Sequence, residues 1–133
     1  MNSEKSKLLS SYITSNVAPI LEDFIFGNDI PNSVVLPANI NSDELNGHYD
    51  NENYLPPKWF NEIITTNESK VLVIDKIDSI SKEEQLKFVE LLEYRKISTF
   101  ELPKSCVIIV TAENINKDTI SEEIYSLVAQ IRW

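Results

Sequence analysis

Two carboxylates, Asp75 and Asp78, follow a short run of apolar residues, Val71 to Ile74. Such a run, ending in Asp-x-x-Asp, is typical of a buried strand whose carboxyl end carries acidic side chains. Ligands of open α/β sheets bind outside these strand ends, so the two acids are candidate ligand-binding residues. The same spacing is also typical of residues that end a strand and begin a turn, and both interpretations stay open.

The other reactive side chains are isolated in the sequence. Cys106 begins the apolar run Cys106-Val107-Ile108-Ile109-Val110, which predicts a buried and unreactive thiol. His48 has no second histidine, so neither a zinc site nor a Cys–His nucleophile pair is favoured.

The chain has only two glycines, Gly27 and Gly47. Loops that cradle phosphates need residues that tolerate positive φ, so this composition excludes most of them. We expect Gly27 to close a helix and Gly47 to lie in a surface turn.

Charge and composition limit the class of function. The chain of 133 residues carries 21 acidic and 12 basic side chains, and its formal charge is −9. This balance would repel a phosphate backbone, so nucleic-acid binding is not expected. Apolar residues form 42% of the chain in short runs, which predicts one globular domain over residues 1–133 and no membrane span. The amino terminus has no apolar signal segment, and a cytoplasmic location is expected.

Hydrophobic periodicity predicts the elements that position these residues. A helix is expected from Leu8 to Ile25, either kinked or divided at Pro19. Residues 38–55 are polar and predicted to be the least regular segment. The remaining predictions are strands at 33–37, 70–75 and 106–111, a hairpin arm at 97–102, and helices at 56–64, 81–94 and 121–131. Alternating strands and helices predict an α/β fold with a parallel sheet of about three strands.

At Val71-Leu72-Val73-Ile74-Asp75 the chain resembles the AAA+ family of P-loop ATPases, in which such a segment is the Walker B motif. The resemblance implies that Asp75 would hold the magnesium ion of a bound nucleotide. The family's catalytic glutamate should follow this acid, where the sequence has Lys76. A lysine in place of the glutamate removes the base that would polarise water.

Downstream segments extend the resemblance over most of the chain. Residues 84–95 are similar to the helix after Walker B, and residues 107–114 are similar to the sensor-1 strand, with Asn114 as the sensor residue. Pro57-Lys58-Trp59-Phe60 resembles the MoxR-type and phage-encoded branch, whereas residues 111–114 resemble clamp-loader subunits. The branch stays open.

The phosphate-binding and arginine-finger motifs are degenerate in this comparison. Lys5 and Ser6 resemble the close of the Walker A loop, but Glu4 stands where the glycine belongs. The rest of that loop and its preceding strand would lie before Met1. Gln130 falls at the place of the arginine finger, with Arg132 as its neighbour.

The resemblance therefore implies a reduced three-layer α/β/α domain that lacks the first strand, the P-loop and the helical lid. The expected function is a non-catalytic interaction module without a cofactor, which binds a protein partner, such as a full-length ATPase, or itself. One alternative is a weak nucleotide binder or ATPase that uses ATP and magnesium through Lys5, Ser6, Asp75 and Asn114. Another is a folded remnant of a larger gene of phage or mobile-element origin.

Overall fold

The computed structural model describes residues 18–22, 33–65, 71–98 and 100–131. Within these ranges the strands are β1 (Ala18–Glu22), β2 (Ser33–Pro37), β3 (His48–Asp50), β4 (Asn53–Leu55), β5 (Val71–Asp75), β6 (Lys96–Ile97), β7 (Phe100–Glu101), β8 (Val107–Ala112) and β9 (Val128–Ile131). The helices are α1 (Ser42–Asn46), α2 (Lys58–Ile64), α3 (Lys82–Gln85), α4 (Val89–Tyr94) and α5 (Glu122–Leu127). Single 3₁₀ turns, η1 (Ile77–Ser79) and η2 (Leu86–Phe88), precede α3 and join α3 to α4.

In the described residues a five-stranded parallel sheet organises the fold, with strand order β2-β5-β8-β1-β9. The predicted α/β class with a parallel sheet is confirmed. The expected number of about three strands is wrong, because β1 and β9 join the predicted ones. The expectation that the first strand is missing is also wrong, since β1 lies inside the sheet between β8 and β9.

Strand β1 replaces part of the helix predicted from Leu8 to Ile25. Its pairing explains how a sheet interior accepts Pro19, which has no amide proton to donate. Residues Ala18 to Leu21 pair with β9, but the pairing with β8 begins only at Ile20. Pro19 therefore lies where β1 is paired on one side only.

Strand β9 replaces the end of the helix predicted to run to Ile131. The helix opens at Ser121 as expected, with the serine side chain accepting a hydrogen bond from the amide of Ile124 (3.2 Å). It ends at Leu127, and Val128 to Ile131 pair in parallel with β1. The apolar spacing in this segment fits a helix or a short strand, and backbone pairing with β1 favours the strand.

The core lies against one face of the sheet. Val34, Leu36, Leu72, Ile74 and Val110 alternate along three neighbouring strands and belong to one buried cluster, to which α2, η2, α4 and α5 contribute apolar side chains. The intervening residues Val73 and Ile109 point to the opposite face and are also buried. Both faces of the sheet are therefore covered at its centre, as expected for parallel strands.

The segment predicted to be least regular, residues 38–55, contains α1 and the antiparallel β3–β4 hairpin. The indole Nε1 of Trp59 in α2 donates to the carbonyl of Leu45 in α1 at 2.9 Å, which ties the two helices together. The predicted hairpin arm at 97–102 is present as the short β6–β7 pair. No helix in the described part of the chain is both long and apolar enough to cross a bilayer.

Candidate functional site

The structure places three of the predicted site residues at one end of the sheet. Asp75 ends β5, Asp78 lies in η1 just after it, and Asn114 follows β8, which is the neighbouring strand. Parallel strands have their carboxyl ends at the same end of a sheet, and the register of Ile74 with Val110 places the ends of β5 and β8 side by side.

Thr111 joins the carboxyl ends of β5 and β8. The hydroxyl of Thr111 in β8 donates to Oδ1 of Asp75 and accepts from the backbone amide of Lys76, both at 2.8 Å. Thr111 is buried and Asp75 is half-buried. One carboxylate oxygen of Asp75 is therefore already used inside the protein.

Asp78 holds the loop after β8 rather than facing outward as a free acid. Its Oδ1 accepts from the amide of Glu113 at 3.0 Å, and its Oδ2 accepts from the amide of Asn114 at 2.9 Å. Both oxygens thus bind backbone amides across 35 residues of sequence or more. This geometry supports the interpretation that Asp78 begins a turn and stabilises it.

Lys76 stands between the two acids in a left-handed backbone conformation, with φ 56° and ψ 54°. Residues other than glycine rarely adopt this conformation, which costs about 1–2 kcal/mol. The hydrogen bond from its amide to Thr111 offsets part of that cost, and its side chain is exposed. The turn therefore presents an ammonium group, not a carboxylate, beside Asp75.

Sequence reasoning missed two polar residues that shape this edge, Thr111 and Gln85. Gln85 is fully buried; its Nε2 donates to the carbonyl of Thr119 at 2.7 Å, and its Oε1 accepts from the amide of Ser121 at 2.8 Å. It therefore holds the connection between β8 and α5 against α3. The available signal was a polar residue inside an apolar pattern, which in a core must find hydrogen-bond partners.

Cys106 is buried as predicted, at 1% exposure. Burial raises the pKa of its thiol above the usual 9.0, although the nearby Arg95 guanidinium opposes the change. The same guanidinium donates to the carbonyls of Pro103 and Cys106. The thiol therefore stays protonated at neutral pH and lies in a packed, structural position.

The direction of the strand connections reverses between β1 and β8. The chain leaves β1 for β2 in one direction and leaves β8 for β9 in the other, and ligands of open α/β sheets bind where neighbouring strands diverge in this way. In P-loop proteins the phosphate loop directly follows a strand of this kind. The ten residues that join β1 to β2, 23–32, contain one glycine, Gly27, and no lysine.

The remaining predicted residues cannot be compared with this geometry. Glu4, Lys5, Ser6, Gly27 and Arg132 lie outside the described residues. Gln130 lies in β9, where its backbone pairs with that of Ile20 in β1. Among the described residues, no three histidine, cysteine or acidic side chains are close enough to hold a metal ion.

Comparison with known proteins identifies the fold and no family. The sequence matches no protein-family profile and no curated protein. Among solved structures it is similar to the crystal structure of NtrX from Brucella abortus, with a TM-score of 0.55 and 13% sequence identity. The match covers 99% of this chain and 36% of NtrX, so the chain spans about a third of that protein's length. At this identity the similarity is one of fold.

Proposed function

We propose that the protein is a non-catalytic interaction module that uses a P-loop-like α/β scaffold to bind another protein. The observation that carries the proposal is the sequence between β1 and β2. A P-loop binds a nucleoside triphosphate with several backbone amides and a lysine around the phosphates, and residues 23–32 offer no lysine and one glycine.

The carboxyl ends of β5 and β8 support the same proposal. A magnesium ion bound to a nucleotide needs carboxylate oxygens that are free to coordinate it, and Thr111 engages one oxygen of Asp75. Asp78 is engaged by two backbone amides, and Lys76 follows Asp75 where the family resemblance would require a glutamate. The described residues at this edge therefore fit a structural junction better than a magnesium nucleotide, and ATP and magnesium have no part in the proposed function.

Calorimetric titration with ATP and magnesium tests the proposal, with Asp75→Ala measured in parallel. We expect no heat of binding at millimolar ATP for either protein. Micromolar binding that requires magnesium and is lost in Asp75→Ala would overturn the proposal and support the alternative of a nucleotide-binding protein. ATP binding that needs neither magnesium nor Asp75 would also overturn the proposal, and would place the nucleotide away from the end of β5.

A further inference from the structure

A groove of about 900 Å³ runs along the outer edge of the sheet, between β2 and the segment that carries α1 and the start of α2. All five residues of β2 line it, so the groove follows the strand's edge and not only one of its faces. In the described part of the sheet β2 pairs only with β5, and it is the last strand in the order.

The hydrogen-bond pattern shows which backbone groups face the groove. The amide of Ala38 donates to the carbonyl of Asp75 at 3.0 Å, which fixes the even-numbered residues of β2 as those that bond to β5. The alternate residues, Ser33 and Val35, therefore direct their N–H and C=O groups toward the groove. The side chain of Val35 is 48% exposed on the sheet face opposite the core. An unpaired edge of this kind is a template for an added strand.

The charge of the groove indicates which class of partner it would bind. Three carboxylates, those of Asp43, Glu44 and Glu62, line the groove beside a single lysine, Lys58. Trp59 and three prolines contribute apolar surface to it. A second copy of the chain would bring the same three acids to the interface twice, on proteins that each carry a formal charge of −9. Opposite charges give an extended basic segment the better electrostatic match.

We propose that this groove binds an extended, lysine- or arginine-rich segment of a partner protein as a strand added to β2. Backbone hydrogen bonds to Ser33 and Val35 supply affinity that is independent of sequence, and the three carboxylates supply the preference for basic side chains. The inference rests on the proposed function, because it names the surface and the class of partner that the module would use.

The test uses the full chain and an octapeptide of alternating lysine and valine, with amide hydrogen exchange as the readout. In the free protein we expect the Val35 amide to exchange faster than those of Val34 and Leu36, whose N–H groups face β5. The peptide should slow exchange at Val35. A peptide with glutamate for lysine, and one N-methylated at alternate residues, should not.

Protein variants separate the backbone contribution from the charge contribution. Val35→Pro removes the amide that faces the groove but no bond to β5, and should weaken binding at least about tenfold, whereas Val35→Thr keeps the amide and should bind normally. Glu62→Lys should weaken binding by about threefold to tenfold. Glu93→Lys is the matched control, since it makes the same charge change on an exposed helical residue outside the groove, and should bind within about twofold of the wild type.

Several results would overturn the proposal. These are no protection of Val35 at millimolar basic peptide, equal binding of the acidic or N-methylated peptide, or protection that grows with protein concentration alone, which would make a second copy the occupant. The N-methylated peptide keeps the test valid if Val35→Pro fails to fold. Because none of these results involves nucleotide, the groove can fail while the absence of ATP binding still supports the proposed function.

Discussion

The hydroxyl of Thr111 donates a hydrogen bond of 2.8 Å to Oδ1 of Asp75, across the boundary between β8 and β5. The acid at the end of β5 is thereby tied to the neighbouring strand and to the amide of Lys76, which donates to the same hydroxyl. A position that resembles the magnesium-binding acid of an ATPase thus contributes to the architecture of the sheet edge.

Replacing Thr111 with valine should destabilise the fold by about 1–3 kcal/mol, because the part-buried amide of Lys76 loses its acceptor and Asp75 loses a donor. The measurement is urea denaturation combined with amide exchange at Lys76, which should become much faster. Thr111→Ser keeps the hydroxyl and should keep the Lys76 amide protected. Equal exchange rates of the Lys76 amide in Thr111→Val and Thr111→Ser would show that the Thr111 hydroxyl does not hold this amide.

Replacing Asp78 with alanine should destabilise the protein by about 1–2 kcal/mol, because the amides of Glu113 and Asn114 lose a charged acceptor. Denaturation in urea measures the change. Asp78→Asn retains one acceptor oxygen and should lie between alanine and the wild type. If Asp78→Ala is as stable as the wild type, the carboxylate does not hold the loop.

Replacing Gly47 with alanine should destabilise the protein by about 2 kcal/mol or more. Gly47 has φ 79° and ψ −173°, and an added Cβ would lie 2.3 Å from the carbonyl oxygen of Leu55. Both the backbone conformation and this contact require glycine. Thermal denaturation should show a lowered Tm, whereas Asn46→Ala, one residue earlier on an exposed position, should change it little.

The ionisation of the Cys106 thiol should affect stability only in alkaline solution. Because burial raises the pKa of the folded thiol, the unfolded chain loses this proton first as the pH rises through 9.0. The free energy of unfolding should therefore fall with pH above that value and be independent of this group below it. Denaturation at several pH values, compared with Cys106→Ala, isolates the contribution; identical pH dependence in both proteins would show that burial does not shift the thiol.

The predictable part of the fold lies where local pattern and tertiary pairing agree. The β-branched runs in β5 and β8 and the serine caps of α3 and α5 lead directly to the observed elements, and the side chain of Ser81 accepts from the amide of Glu84 at 3.1 Å. Strands β1 and β9 could not be predicted, because their residues also fit helical spacing. Each pairs with the other in the sheet, and that pairing is a long-range contact that no local pattern contains.

The candidate site shows the same division. The placement of Asp75 and Asn114 at the same end of the sheet could be predicted, because adjacent parallel strands end together. The hydrogen bonds of Thr111 and Gln85 could not, because their partners lie 34 to 36 residues away in sequence. The described sheet ends in β2 on one side and in β9 on the other, and the edge of β2 lines a groove. Its groove depends on α1 and the start of α2 folding beside it.

The most direct test of the account is one series of amide NMR spectra, recorded first with magnesium and ATP and then with the basic octapeptide. The account predicts that ATP leaves the amides of Lys76, Thr111 and Asn114 unchanged at millimolar concentration, and that the peptide shifts and protects Ser33 and Val35. Saturable, magnesium-dependent shifts at the ends of β5 and β8, with no response along β2, would contradict it.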